Sequence, residues 1–249
     1  MLARSCLAIL LVFAVACGAH RKPSSTLSIA AASDLQFALD DLARQFHALH
    51  PEVELRPGYG SSGTFYAQIR SGAPYDLFLS ADIQYPRILA QEGLARPDSL
   101  FVYAIGRLAV WVPGSSSLDP ATALRNPAVR RIAIANPEHA PYGRAAQAAL
   151  KSMGIYGVVE KKLVLGENIS QTFQFVQSGN ADVGMVALSL ALAPAVEGQG
   201  RYWQVPLDAY PKMEQGGVIL KDSPAAREFR AWLLGPDGRR ILRQYGFSE

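Results

Sequence analysis

Strand-length apolar runs alternate with helix-length amphipathic runs from residue 27 onward, and few architectures satisfy that rhythm. Leu27 to Ala32 reads as a strand; Leu35, Leu39, Leu42 and Phe46 then recur on one helical face up to Leu49, and Pro51 enforces the stop. Val53-Glu54-Leu55-Arg56 alternates like a strand and Thr64 to Arg70 is helical. Asp76 to Ser80 is a short buried strand, followed by a helix over Ile83 to Glu92. Strands separated by helices of this length pair in parallel and need cover on both faces, which predicts an α/β chain with a doubly wound sheet.

The rhythm changes at Leu100 to Val112, one long β-rich run ended by Pro113-Gly114, and a second series begins at Arg131 to Ala135. A helix over Arg144 to Met153, a strand over Lys162 to Leu165, a helix over Ser170 to Gln177 and a strand over Val183 to Val186 follow. Tyr202 to Val205 is extended, Gly216 to Leu220 is a strand, and two helices, Pro224 to Leu234 and Pro236 to Tyr245, finish the chain. The pattern implies two doubly wound α/β lobes joined by two crossovers. Lobe I takes residues 27–105 and 213–249, lobe II residues 106–212, and a ligand is expected in the cleft, outside the carboxyl ends of the strands.

The first sixteen residues are of another kind. Arg4 precedes an apolar run, Leu7 to Ala16, that is too short to span a bilayer and ends in small residues, as a secretory signal does. The run closes Ala14-Val15-Ala16-Cys17-Gly18, a bacterial lipobox with Ala14 where leucine is usual. Lipidation at Cys17 is therefore expected, with ordinary cleavage after Ala16 as the alternative. Residues 17–26 then form a short polar tether, and the protein is placed in the periplasm, anchored to the membrane. Cys6 lies in the signal, so the mature body has no disulfide and no thiol nucleophile. A formal net charge of +3 with scattered Lys and Arg gives no nucleic-acid surface.

Four strand-to-helix turns carry the polar small residues. Ala30-Ala31-Ala32-Ser33 opens the first helix, where Ser33 is placed as its N-cap, and Asp34 beside it is expected to face away and favour the helix dipole. Gly58-Tyr59-Gly60-Ser61-Ser62-Gly63 brings two hydroxyls, from Ser61 and Ser62, to a second helix start. Pro137 to Gly143 puts Tyr142 in a third first turn, and Gly166-Glu167-Asn168-Ile169-Ser170 makes a fourth. Each such turn offers unpaired N–H donors, so four of them aimed at one point would hold a small anion without a counter-charge. The literal G-x-G-x-x-G at Gly58 lies on the second turn of the series and in an exported chain, which argues against a dinucleotide. His47 and His50 sit at a helix end, His139 has no second His or Cys, and metal spacing is absent. Asp76 and Asp82 are read as turn caps or hinge groups. No G-x-S-x-G elbow surrounds Ser61 or Ser62, which leaves a secreted serine hydrolase, using Ser33 or Ser62, as a rival reading.

These turns, together with Gly72 to Asp82, Asn136 to Gly143 and the terminal Gly235-Pro236 and Tyr245-Gly246-Phe247, occur in an order that resembles the periplasmic molybdate-binding proteins of ABC importers. The resemblance covers essentially all of the mature chain. It implies a type II periplasmic-binding-protein fold, molybdate or tungstate as ligand, an ABC permease as partner, a monomeric carrier, no enzymatic activity and no cofactor. By position, Ser33, Ser62, Tyr142 and Ile169 match the oxyanion-holding residues. The fifth position, a tyrosine in some members, falls on Ala187, and Ser189 or a backbone N–H is the candidate replacement. Sulfate, thiosulfate or phosphate on the same scaffold is the nearest alternative.

Overall fold

The computed structural model describes residues 25–249; the leader and Cys17 lie outside the described residues. In chain order the elements are β1 (Ser25–Ala32), α1 (Gln36–Leu49), β2 (Val53–Gly60), α2 (Ser62–Arg70), β3 (Leu77–Ser80), α3 (Gln84–Gln91), β4 (Phe101–Gly106) and β5 (Leu108–Pro113). Then come β6 (Ile132–Ala135), α4 (Pro141–Ser152), α5 (Tyr156–Val159), β7 (Leu163–Gly166), α6 (Ile169–Gln177), β8 (Val183–Ala187), α7 (Leu188–Ala191), β9 (Gly200–Gln204), β10 (Met213–Ile219), α8 (Pro224–Leu234) and α9 (Pro236–Gln244). A 3-10 turn, Ser33–Leu35, leads from β1 into α1.

Two five-stranded sheets result, ordered β2-β1-β3-β10-β4 and β7-β6-β8-β5-β9. β1 pairs in parallel with β2 and β3, and β6 with β7 and β8, so each sheet holds a parallel, helix-covered trio. The sheets are mixed and not wholly parallel, because one strand in each runs against its neighbours. β10 is antiparallel to β3 and β4, and β5 is antiparallel to β8 and β9. Both exceptions follow from the crossovers: β5 has just left the first sheet and β10 has just returned to it.

The long β-rich run from Leu100 to Val112 is two strands in two sheets, separated at Arg107. Apolar content alone does not mark such a break. Gly106 does, since a Cβ there would meet Gln215 Nε2 at 2.6 Å and the Tyr142 hydroxyl at 2.7 Å. The returning strand carries an irregularity between Gln215 and Gly216, and Gln215 is wholly buried. A bulge of this kind bends a strand and re-aims its side chain. Here it sets an amide into the crossing point between the sheets.

Each lobe has its own aromatic anchor. α1 buries Leu39, Leu42 and Phe46 on the face the sequence periodicity marks, and α8 brings Phe229 edge-on to Phe46 with ring centroids 5.2 Å apart. In the other lobe Trp111 of β5 meets Phe173 of α6 at 4.9 Å. The C-terminal helices thus cover the first sheet, and both lobes turn the carboxyl ends of their parallel strands toward one cleft.

Candidate functional site

A small cavity lies where those strand ends meet. Ala32, Ser33, Asp34, Gly60, Ser61, Ser62 and Ala81 line it from the first lobe, and Ala140, Pro141, Tyr142 and Ile169 from the second. Ser62, Pro141 with Tyr142, and Ile169 are the first-turn residues of α2, α4 and α6. The N–H groups of Ser62, Tyr142 and Ile169 have no partner within the helix, and Pro141 has none to offer. The fourth wall is the 3-10 turn at Ser33. Ser33, Ser62, Tyr142 and Ile169 therefore come together as lining residues, and Ser61 joins them. Ala187 and Ser189 are not among the lining residues: Ala187 is the buried residue preceding α7, and the Ser189 hydroxyl donates to the Asp34 carbonyl at 2.7 Å.

The two serines of the Gly-rich turn divide their tasks. Ser61 caps α2, its hydroxyl accepting from the Thr64 N–H at 3.2 Å. The Ser62 hydroxyl accepts the Ala81 N–H at 2.9 Å, which keeps its own proton available for donation. Ser33 does not act as an N-cap. Ala32 occupies the cap position, with no side-chain bond, and the Ser33 hydroxyl reaches across the cleft to Asn168 Oδ1 at 3.2 Å. Asn168 is itself the cap of α6, accepting from the Gln171 N–H at 3.0 Å. An Asn-x-x-Gln spacing before an apolar run is a capping signature, so Asn168 was readable from sequence. Its bond to the opposite lobe was not, because a single sequence carries no register between lobes.

The lobes touch at the rim as well. The Gly63 N–H donates to the His139 carbonyl at 2.9 Å, and the Ser170 hydroxyl donates to the Ser33 carbonyl at 2.9 Å. Glu167 Oε1 accepts from the Thr64 hydroxyl at 3.3 Å and lies 3.1 Å from His139 Nε2. Arg144 pairs with Asp82 at 2.7 Å and reaches the Tyr85 hydroxyl at 3.2 Å. Asp76, at the other end of β3, accepts the Ser28 N–H at 2.7 Å.

Asp34 departs most from its sequence reading. It sits in a first turn but is only 1% exposed, and it faces the crossing point between the lobes. Oδ2 accepts from Gln215 Nε2 at 2.6 Å and from the Tyr142 hydroxyl at 3.1 Å, while Oδ1 is buried without a partner. Burial pushes its pKa up to about 6, against the two side-chain hydrogen bonds, which pull it down. Burial, and then the Asp34 charge, hold the Tyr142 phenol well above its ordinary value, so it stays a neutral donor. Among the described residues no Lys, Arg or His lines the cavity.

Chemically, this is a place to hold a small anion by neutral dipoles. A charge-assisted hydrogen bond contributes about 1.5–3 kcal/mol, and several of them compensate a dianion for lost hydration. Among the described residues no histidine is hydrogen-bonded to Ser33, Ser61 or Ser62, so the nucleophile–base pair that a hydrolase requires is missing from this arrangement. A larger groove of about 440 Å³ opens beside the site, between Asp82, Arg144, Lys212 and Glu214. Its charges are already paired, Arg144 with Asp82 and Lys212 with Glu214. His50 stacks on Phe46 and lies 3.5 Å from Glu52 and 3.7 Å from Glu228, on the outer surface of the first lobe.

The family model of the bacterial extracellular solute-binding proteins matches residues 27–248. The chain belongs to that family. It is 41% identical over 192 residues to the molybdate-binding protein ModA of Rhodobacter capsulatus, covering 76% of this chain and 75% of the relative. Against ModA of Azotobacter vinelandii identity is 36% over 238 residues, 94% of this chain and 93% of that one. The solved periplasmic molybdate-binding protein of Azotobacter vinelandii superposes with a TM-score of 0.84 at 33% identity, over 90% of this chain and 99% of that structure. The sulfate-binding protein SubI of Mycobacterium tuberculosis shares the fold at 14% identity, with a TM-score of 0.72 over 90% of this chain and 86% of its own. The two-lobed periplasmic-binding-protein architecture is thus common to proteins named for different oxyanions. Selectivity among them rests on the cavity and not on the fold.

Proposed function

We propose that the protein captures molybdate, or tungstate of nearly the same size, outside the cytoplasm and delivers it to an ABC permease. The observation that carries this is the convergence of Ser33, Ser62, Tyr142 and Ile169, two from each lobe, on one cavity without a cation. The Ser62 hydroxyl and the first-turn N–H groups of Ser62, Tyr142 and Ile169 are the donors, joined by the Ser33 hydroxyl when its proton turns from Asn168 Oδ1 to the anion. The identity to two proteins named as molybdate-binding supports the choice of ligand. Lobe I comprises residues 27–105 and 213–249, lobe II residues 106–212, and Arg107 marks the first crossing. Cys17 carries the lipid that anchors a monomeric, periplasmic carrier, and transport needs no cofactor or catalytic step.

Titration calorimetry with molybdate, tungstate, sulfate and phosphate tests the reading. Tight binding is expected for the first two, with weak salt dependence because the donors are neutral and enclosed. Sulfate binding more tightly than molybdate would reverse the assignment.

Ile169→Pro probes a single backbone donor. Ile169 is the first residue of α6, where proline fits; the substitution removes an N–H unused by the helix and exchanges the buried isoleucine side chain for the smaller ring. Asn168 before it is extended, at φ −147° and ψ 178°, as a residue preceding proline prefers. Affinity for molybdate is expected to fall about 10- to 150-fold, the worth of one charge-assisted bond, with helical content unchanged by circular dichroism. Unchanged affinity would remove Ile169 from the site.

A further inference from the structure

We propose that Asp34 is the site of a proton taken up with the anion, so that the loaded, closed protein holds this side chain as the neutral acid. This rests on the oxyanion reading above. The geometry supplies the reason. Asp34 belongs to the turn that carries Ser33, yet its carboxylate is held by Tyr142 of the opposite lobe and by Gln215 of the returning strand. The opposite lobe thus supplies part of its enclosure, and it lines the same cavity as the donors. Closing on a dianion would place a third negative charge in one dehydrated space.

Nothing nearby compensates that charge. From α4 the carboxylate faces Tyr142, from β10 Gln215, and from β4 Tyr103, whose hydroxyl lies 3.0 Å from Gln215 Oε1. Tyr210 acts on Tyr142 from the segment before β10. α7 presents Ser189 and α6 presents Asn168 and Ser170, all neutral. Asp40 and Asp41 of α1 are engaged elsewhere, by Tyr59 and Tyr245. No Lys, Arg or His contributes to the shift of Asp34, which burial dominates. Oδ2 already serves two donors, whereas Oδ1 is buried and empty-handed, so the proton belongs on Oδ1. It comes from bulk solvent; no bond other than O–H forms.

The sign follows from linkage. In the enclosed site burial raises the Asp34 pKa to about 6, and a dianion held beside it raises it further. The complex then holds the proton more tightly than the free protein, binding takes a proton up, and affinity falls as pH rises, by at most tenfold per pH unit.

The experiment is calorimetry of the full mature protein with molybdate near pH 6.5, in buffers of different ionisation enthalpy. The slope of observed heat against buffer enthalpy is expected to show uptake of about half a proton or more per anion. In Asp34→Asn the slope is expected to vanish and the dissociation constant to become flat between about pH 6 and 8, whatever its absolute value. Molybdate binding by the wild-type protein with no proton uptake overturns the inference while leaving the functional reading intact. Uptake that persists in Asp34→Asn also overturns it, by assigning the proton elsewhere. Absence of any molybdate heat at any pH defeats the functional reading and this inference together.

Discussion

Gly63→Ala is expected to leave both lobes folded and to weaken molybdate binding by about 10²- to 10⁴-fold. Gly63 lies in the first turn of α2, and a Cβ there would meet the His139 carbonyl oxygen at 2.5 Å and its Cα at 2.9 Å. Both obstacles are backbone of the other lobe and cannot rotate away. The same residue donates its N–H to that carbonyl when the lobes meet. Within α2, alanine is a better helix former than glycine, so the isolated lobe gains a little stability. The third neighbour, the Tyr85 hydroxyl of the same lobe at 2.9 Å, is the end of a side chain and can shift, so the main damage falls on closure.

Without closure, the Tyr142 and Ile169 donors of the second lobe stay out of reach of an anion held by Ser33 and Ser62. Two charge-assisted bonds at about 1.5–3 kcal/mol each account for a loss of that size. Small-angle scattering with and without molybdate reads the closure directly, and calorimetry reads the affinity. A variant that compacts on ligand addition and binds like wild type would show that the Gly63–His139 approach is not the closed contact.

What the sequence disclosed, and what it withheld, divides along local and non-local physics. Helix faces and turn positions depend on spacing and small residues within a few positions, which is why α1, the Gly-rich turn and the first turns of α4 and α6 were legible. The switch of sheet at Arg107 was not, because β4 and β5 are equally apolar and only the tight surroundings of Gly106 betray the crossing. Ser33 illustrates the same divide within one residue. Its position at a helix start was readable, but its hydroxyl serves Asn168, 135 residues away, in place of its own helix. Asp34 is the sharpest case. A carboxylate in a first turn normally suits the dipole and faces water, and only the meeting of Tyr142, Gln215 and Gly106 turns it into a buried interlobe group. Ala187 offers no hydroxyl, as its sequence position implies, and it is buried at the end of β8 outside the set of residues that line the cavity.

Ser61→Ala and Ser62→Ala, measured side by side, separate capping from binding. Adjacent in sequence, the two hydroxyls have different partners, Thr64 N–H for Ser61 and Ala81 N–H for Ser62. Loss of the Ser61 cap is expected to cost about 1 kcal/mol of stability and to change affinity little. Loss of the Ser62 hydroxyl removes a donor to the anion, for about a 10- to 150-fold weaker complex. It also strands the buried Ala81 N–H, for about 1–3 kcal/mol of stability, or roughly 2–4 °C in Tm for each kcal/mol in a chain of this size. Thermal melting with and without molybdate distinguishes the two contributions, since saturating ligand restores stability in proportion to the affinity that remains. The ligand-induced rise in Tm should therefore be near wild type in Ser61→Ala and clearly smaller in Ser62→Ala. The reverse order would move the oxyanion contact from Ser62 to Ser61 and shift the anion one residue back along the turn, away from the first-turn N–H groups that α2 offers.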